Sequence, residues 1–389
     1  MFNGTDVSEA SFEGAELVAA NFVGVKADNA NFFNSNLSKS TVTDNSQFVH
    51  AFMSSSNGQE VLISDSNFDY ANIKNGNWDR AKFTNSTFNH ANLEGISLIS
   101  ADLRKVQMQH TILEQAILME CKVIDSDLSN ALISKAKAHK AQFKNTILNG
   151  IEGKGIDLSD AELDSFVKLG GANLEEAILT KINAEGVNFI RANMNMVDAQ
   201  KANFRNAILE DVNITCANLT EAVLEGAKAH GINLSYSTLT KVHAKKADFS
   251  DSIIRRTEAQ QADFTEVNFT NADLTRSNLQ KAILEKVQAE KVRLEGVNLR
   301  AAKLAEANMA KAIIDVDTNI IGSDLRDLQG NFIQNGQEFT PQKLQEQQII
   351  LEQVELQRKK DNSPNIVVGL LKEAGAFFLM LLMHYLQLL

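Results

Sequence analysis

The chain repeats with a period of five residues over most of its length. Large apolar residues are separated by multiples of five positions, as are Phe12, Leu17, Phe22, Phe32 and Leu37. A small residue often stands two positions before them, as do Ala10, Ala15 and Ala20. Helices place apolar residues at a period of about 3.6 and strands at about 2, so a sustained period of five fits neither. Each five-residue unit therefore forms one short side and one turn of a larger coil.

The period of five shifts by one residue at three points. It resumes at Phe48, at Leu169 and at Ile320, and between these points the frame is unbroken. No linker-like stretch interrupts residues 1–330, which argues against separate globular domains in this part of the chain.

The best-formed units read ADLTR, ANLTE, ADFTE and ANLEE. This A(D/N)LXX pattern resembles that of the pentapeptide-repeat family, and it covers roughly five-sixths of the chain. The resemblance implies an all-β solenoid, a right-handed quadrilateral β-helix in which four pentapeptides form one square coil. It also implies that the central Leu or Phe and the small residue before it point inward, and that the other three positions point outward.

The largest central side chains should stack inside such a solenoid. Wide side chains would fill the narrow interior, while small residues let the neighbouring backbone approach closely. The predicted core ladder consists of Phe68, Trp78, Phe83, Phe143, Phe189, Phe204, Phe249 and Phe264. In the columns that four units per coil produce, Ala184 lies under Phe204, so we expect small residues to make room for large ones.

We expect two parts, a pentapeptide-repeat β-helix over residues 1–330 and a C-terminal helical segment over residues 331–389. With about 20 residues per coil and a strand spacing of about 4.8 Å, the repeat part would form roughly 16 coils and a rod about 75 Å long.

Two helices are predicted after the repeats. Thr340-Pro341 and Ser363-Pro364 each place an N-cap residue before a proline that suits the first helical turn, which predicts helices over 341–360 and 364–389. The second helix would carry an apolar stripe that has to be buried. The interaction candidates on this stripe are Ile366, Leu370, Phe377, Phe378, Leu381, Leu382 and Tyr385.

Three burial sites for this stripe stay open. Capping of the last coil, or pairing with another subunit to make a homodimer through the C-terminal helix, is favoured because solenoids need a terminal cap. A membrane contact is the alternative. Residues 374–389 fall short of the roughly 20 that a span requires, although the basic residues at 358–360 would suit a cytoplasmic boundary.

The sequence favours a cytoplasmic location, with membrane association only through the C-terminus. Cys121 and Cys216 lie far apart without a partner motif, so neither a disulfide framework nor a cysteine zinc site is predicted. The N-terminal residues lack the basic region and apolar stretch of a secretory signal.

One outward column is chemically distinctive. His50, Tyr70, His90 and His110 share the last position of their units, so they should stack on one face. His90 and His110 are the metal candidates because imidazole is a common ligand, but two ligands without a third make a poor site. A stacked surface ladder is the favoured interpretation, and neither a metal nor another cofactor is predicted.

No catalytic residues are predicted. The sequence contains neither a glycine-rich phosphate loop nor a nucleophile with a general base at a recognisable spacing. A solenoid with a filled interior also offers no deep pocket. The leading hypothesis is therefore a non-enzymatic binding or scaffold protein that presents a rigid repeat surface to another protein.

The family resemblance implies one alternative function, because some members present an acidic rod that occupies a type II topoisomerase such as gyrase. Residues 1–165 contain 13 basic against 21 acidic side chains, which would confine such DNA mimicry to the N-terminal half. The charge density is low for a mimic. B-DNA carries one charge per about 1.7 Å of its axis. Residues 1–330 carry a net charge of about −10 over a rod of roughly 75 Å, which is one charge per roughly 7 Å.

A further alternative is a membrane-tethered rod that is anchored by the C-terminal helix. Direct nucleic-acid binding is not expected, since the chain carries a formal net charge of −11.

Overall fold

The computed structural model describes residues 1–361, with side chains described through Leu356. By its internal contacts the chain divides into two compact units, Met1–Asn218 and Leu219–Leu389. Each unit is built from coils of four pentapeptides.

The first unit is a parallel β-solenoid with four sides per coil. One side forms a nine-stranded parallel sheet in which each strand pairs with the equivalent strand of the next coil, as Phe2 pairs with Phe22. Its strands are β1 Phe2–Asn3, β2 Asn21–Val23, β3 Thr41–Thr43, β4 Leu62–Ser64, β5 Lys82–Thr84, β6 Asp102–Arg104, β7 Lys122–Ile124, β8 Gln142–Lys144 and β9 Glu162–Leu163. The other three sides pair through single parallel bridges, such as Asp6 to Lys26, Ser11 to Asn31 and Glu16 to Asn36. The predicted quadrilateral solenoid is therefore confirmed.

The corners of the coil are tight turns that require an unusual backbone conformation. In the first coil the Ala10 N–H donates to the Val7 carbonyl at 3.1 Å, and Glu9, between them, has a φ of 62°. Most pentapeptides repeat this geometry with a non-glycine residue at positive φ. Asn or Asp before the central residue supports the turn, since Asn72 Oδ1 accepts the Lys74 backbone N–H at 3.2 Å.

The predicted frame shifts correspond to single extra residues in the coil. Thr41 pairs with Leu62 and Ile147 with Lys168 in the first unit, and Asn298 pairs with Asn319 in the second, each one residue beyond the regular spacing. The stack continues past every insertion, so these shifts interrupt the sequence pattern without ending the solenoid.

The interior of each unit is filled by the central and small residues of the repeat. All eight residues of the predicted core ladder are at most 2% exposed. In the first unit Phe48 stacks on Phe68 and Phe68 on Phe88, with ring centroids 4.8 Å and 5.0 Å apart. Ala184 and Phe204 lie in neighbouring coils and are both fully buried, as the small-beneath-large pattern predicts.

The second unit also has parallel bridges, such as that from Val223 to His243, and it ends in a different motif. β10 Ile313–Ile314 pairs in parallel with β11 Phe332–Gln334, which pairs antiparallel with β12 Gln337–Phe339. Asn335 and Gly336 form the hairpin turn, both at positive φ. This hairpin closes one side of the last coil.

One helix, α1 Pro341–Asp361, follows the hairpin. The predicted helix over 341–360 is confirmed, and Thr340 acts as its N-cap because its Oγ1 accepts the Lys343 backbone N–H at 3.3 Å. The predicted helix over 364–389 lies outside the described residues. No helix within residues 1–361 combines the length and the apolarity that a bilayer crossing needs.

The helix α1 caps the end of the solenoid in the second unit. Leu344 and Val354 are buried on its inner face. Its Glu355 carboxylate accepts two hydrogen bonds from the Arg300 guanidinium, at 2.9 and 3.1 Å, and Gln348 donates to the Ser323 carbonyl at 2.9 Å. The cap that a solenoid terminus requires is therefore supplied by α1.

Candidate interaction surface

The predicted ladder of outward rings exists in the first unit. His50, Tyr70, His90 and His110 stand one above the other at one corner, with successive ring centroids 4.9, 4.9 and 5.0 Å apart. Every member has a positive φ at this corner turn, and every side chain is exposed. This set is called the corner ladder.

The side of the solenoid next to the corner ladder carries the central row, which consists of Phe52, Asn72, Asn92 and Ile112. Parallel bridges join each member to the next, so the four residues form one straight column across neighbouring coils. Phe52 is 41% exposed and stacks on Phe33 of the preceding coil at a centroid distance of 5.7 Å. The aromatic surface therefore extends from the corner onto the flat side.

The far corner row, Ser54, Lys74, Glu94 and Glu114, borders the central row on its other side. Ser54 Oγ donates to Asn72 Oδ1 at 3.0 Å, which ties the two rows together. Lys74 Nζ and Glu94 Oε2 form an ion pair at 2.7 Å. The corner ladder, the central row and the far corner row together are called the 50–114 face.

The charged residues of the 50–114 face, Lys74, Glu94 and Glu114, all lie in the far corner row. Neither the corner ladder nor the central row contains Asp, Glu, Lys or Arg, whereas 22% of the whole chain is charged. Depletion of charge together with enrichment in aromatic residues is typical of the central part of protein–protein interfaces. Because the interior of the solenoid is filled, outward residues such as these are the ones that a partner can reach.

The stacking of His90 and His110 bears on their role as metal candidates. Their planes are inclined by only 4°, so the lone pairs of the two imidazoles run parallel and do not converge on one point. Within residues 1–361 no group of three or more His, Cys, Asp or Glu side chains could hold a metal ion. A metal role of this pair stays the untested alternative, and its ring geometry favours the predicted stacked surface ladder.

Sequence reasoning missed a second histidine arrangement. His139 Nδ1 lies 2.9 Å from Ser159 Oγ, and the Ser159 hydroxyl donates to Asp157 Oδ1 at 2.6 Å. His230, Ser250 and Asp248 repeat this arrangement in the second unit. This arrangement could have been predicted from the sequence, since in both places a histidine lies 18 residues before a D-x-S-D segment, which belongs to the next coil.

These histidines are not arranged for nucleophilic catalysis. A hydrolytic triad needs the serine on one ring nitrogen of the histidine and the acid on the other. Asp160 Oδ2 instead lies 3.9 Å from the same Nδ1 of His139 that faces Ser159. The serine proton is directed at Asp157, so the arrangement braces two coils rather than activating a hydroxyl.

The two cysteines are free thiols, and Cys121 is buried. Burial, with a smaller effect from the charge of Asp102, raises the pKa of the Cys121 thiol to about 12. The thiolate is the reactive form, so this cysteine is unsuited to nucleophilic chemistry at neutral pH.

The remaining interaction candidates lie outside the described residues. They are Ile366, Leu370, Phe377, Phe378, Leu381, Leu382 and Tyr385. Their roles as a cap, a subunit contact or a membrane contact stay predictions.

Comparison with known proteins bears on the family. The model of "Pentapeptide repeats" matches eight copies, which together span more than half of the chain. The matched segments are residues 2–40, 63–98, 81–119, 118–150, 168–206, 197–226, 217–256 and 255–288. No curated protein matches the sequence.

Several solved structures are similar to this chain. QnrB1, a plasmid-mediated fluoroquinolone resistance protein, shows 17% identity, covers 57% of this chain and 92% of its own, and has a TM-score of 0.29. A pentapeptide repeat protein of the Arabidopsis thaliana thylakoid lumen shows 23% identity over 25% of this chain and 68% of its own, with a TM-score of 0.25. HetL of Nostoc, a pentapeptide repeat protein involved in heterocyst differentiation regulation, shows 22% identity over 63% of this chain and 92% of its own, with a TM-score of 0.18. These TM-scores carry no argument about function.

Proposed function

Because this chain belongs to the pentapeptide-repeat family, whose model matches more than half of it, we propose that it is a non-enzymatic binding protein that engages another protein through the 50–114 face. The observation that carries the proposal is the absence of charge from two adjacent rows, the corner ladder and the central row, in a chain of which 22% is charged. A partner that covers these rows desolvates aromatic rings and amides without stripping water from ions, which is the less costly exchange.

The rigid backbone supports this use of the surface. The corner ladder is held by coil-to-coil hydrogen bonds, such as that from the Tyr70 N–H to the Asn89 carbonyl at 2.9 Å. Its rings are therefore placed before a partner arrives, and little conformational entropy is lost when the complex forms.

Site-specific photo-crosslinking tests the proposal. A benzoylphenylalanine at position 70, on the corner ladder, should give a defined protein adduct in cells. Leu62 serves as the control position because it is similarly exposed, at 44% against 50% for Tyr70, and lies on the β1–β9 side. An adduct that forms equally from both positions, or from neither, would count against the proposal.

A gyrase-directed DNA mimic stays an untested alternative, and the distribution of charge in the first unit does not favour it. Acidic side chains there are interleaved with basic ones in ion pairs, as in Lys26 with Asp6 and Arg80 with Glu60. A supercoiling assay with purified gyrase would reveal inhibition if the mimic alternative holds.

A further inference from the structure

Two rows of the 50–114 face read nearly the same in both directions along the coils, and the two middle positions of the third row are complementary in charge. The central row runs from an apolar residue through two asparagines to another apolar residue. The corner ladder begins and ends with histidine. In the far corner row, Lys74 and Glu94 hold the two middle positions with opposite charges.

A surface of this kind is complementary to itself under one symmetry operation. Consider a twofold axis that lies in the plane of the face, perpendicular to the stacking direction and midway between Asn72 and Asn92. This axis places each row against the same row of a second copy in reversed order. Isologous dimers are built in this way, from one patch that faces itself. Resting on the proposed function, we infer that the partner of the 50–114 face is a second copy of this chain, bound antiparallel.

The central row provides the apolar and amide contacts of this dimer. Phe52 faces Ile112 of the second copy, and Asn72 faces Asn92 of the second copy. Asn72 Oδ1 already accepts the Lys74 backbone N–H and the Ser54 hydroxyl, at 3.2 and 3.0 Å, so its two lone pairs are used. Among the described residues, Asn92 Oδ1 accepts a hydrogen bond only from the Glu94 backbone N–H, at 3.0 Å, which leaves one lone pair.

This difference between the two asparagines gives their contact a direction. Within residues 1–361 the Asn72 Nδ2 group has no hydrogen-bond acceptor, so it is a donor without an internal partner. In the antiparallel dimer it donates to the open lone pair on Asn92 Oδ1 of the second copy. The twofold axis makes this hydrogen bond twice.

The far corner row provides the charge complementarity. Lys74 faces Glu94 of the second copy, and Glu94 faces Lys74 of the second copy, so two ion pairs form across the axis. Glu114 faces the neutral Ser54 of the second copy. In a parallel twofold arrangement the far corner row would instead face the corner ladder of the second copy, so the ion pairs between Lys74 and Glu94 across the interface would not form.

The corner ladder adds contacts at the edge of the interface. Tyr70 faces His90 of the second copy, which pairs a phenol donor with an imidazole acceptor. Phe33 and Leu132 lie one coil beyond each end of the face and are 36% and 37% exposed. A stable dimer buries about 800 Å² per partner, and a face of four coils is smaller, so we expect dissociation in the micromolar range.

A charge-swap experiment on the full chain tests the inference. Lys74→Glu sets two carboxylates against each other at each contact between positions 74 and 94 across the axis, and Glu94→Lys sets two ammonium groups against each other there. Each variant alone should therefore dimerise at least about tenfold more weakly than wild type. A mixture of the two variants restores both intermolecular ion pairs, while the Lys74–Glu94 ion pair within each chain stays broken. Sedimentation equilibrium should show a heterodimer with an affinity close to wild type.

Several outcomes would overturn the inference. They are a wild-type chain that stays monomeric at up to about 100 µM, single variants that dimerise like wild type, and a mixture no tighter than either variant alone. Unchanged circular dichroism of both variants shows that they are folded. The proposed function is tested separately by the mass of the adduct from position 70. An adduct of twice the chain mass supports the dimer, whereas a different protein in the adduct supports the proposed function and rejects the second copy as the partner.

Discussion

Gly58 lies directly against the indole of Trp78 in the neighbouring coil, and a Cβ on Gly58 would come within 2.5 Å of the indole Cδ2. A Cβ on Gly76 would come within 2.7 Å of the indole Nε1. Trp78 is 1% exposed, and its Nε1 donates to Ser56 Oγ at 3.1 Å. Two glycines therefore leave the space that the one tryptophan of the chain occupies.

Replacement of Gly58 by alanine should lower the free energy of unfolding by about 1–3 kcal/mol, because the added methyl overlaps a buried ring that cannot move outward. The φ of Gly58 is not positive, so backbone strain does not contribute. In a Trp78→Leu background the same substitution should cost less than about 0.5 kcal/mol. Urea unfolding followed by circular dichroism measures the four proteins of this cycle, and an equal cost in both backgrounds would refute the packing explanation.

The solenoid could be predicted because residues in contact are separated by a nearly constant number of positions in the sequence. Each residue packs mainly on the residue one coil away, so the period, the insertions and the buried positions were all readable. The Gly58–Trp78 contact follows the same spacing and could have been found. The self-complementarity of the 50–114 face was missed because it appears only when a row is compared with its own reverse, as for Lys74 and Glu94.

The structure at the end of the second unit was harder to predict because its residues no longer follow the five-residue period. The dipeptide Asn335-Gly336 is a strong hairpin signal, and it could have predicted the pairing of β11 with β12. The docking of α1 could not be predicted in the same way. Arg300 and Glu355 are 55 residues apart and no periodic relationship links them, so their ion pair depends on the tertiary position of the helix.

The left-handed corners give a prediction at Lys39, which has a φ of 58° and an exposed side chain. A β-branched residue is strained in this conformation, so Lys39→Val should destabilise the first unit by about 1–2 kcal/mol. Lys39→Gly should be neutral or slightly stabilising. Ser38→Val is the matched control because Ser38 belongs to the same turn without a positive φ. Thermal unfolding compares the three variants, and an equal loss for both valine substitutions would contradict the role of φ.

The pH dependence of the second unit should depend on Asp273, which is 6% exposed. Burial raises the pKa of this carboxyl, but hydrogen bonds from Arg255 and Thr275 outweigh burial and hold the pKa below its ordinary value of 3.8. Arg255 Nη2 lies 2.6 Å from Asp273 Oδ2. A carboxyl with a lowered folded-state pKa stabilises the protein above its unfolded pKa and loses that effect as the pH falls through the folded value.

Asp273→Asn should therefore lower the urea midpoint at neutral pH and reduce the further loss below about pH 4. The measurement is the urea midpoint of wild type and variant between about pH 2.5 and about pH 7. This range brackets the pKa of about 3.9 that an aspartate carboxyl has in the unfolded chain. Glu306→Gln is the control, since Glu306 forms an exposed ion pair with Lys286 at 3.8 Å, a type that contributes little to stability. Parallel pH curves for wild type and Asp273→Asn would show that this carboxyl does not set the acid limit.

The cap formed by α1 should stabilise the last coils through its inner face. Leu344 is 4% exposed and lines the same small cavity as Leu325 and Phe332, whereas Leu356 on the same helix is 59% exposed. Leu344→Ala should cost about 2–4 kcal/mol because it leaves a cavity among these residues, and Leu356→Ala should change stability by less than about 0.5 kcal/mol. Hydrogen exchange of the Ile333 amide, which donates to the Ala312 carbonyl at 2.8 Å, measures the effect at the capped edge. Faster exchange in Leu344→Ala alone would show that α1 holds the final coil closed, and the same exchange rate in both variants would show that the hairpin closes the coil without the helix.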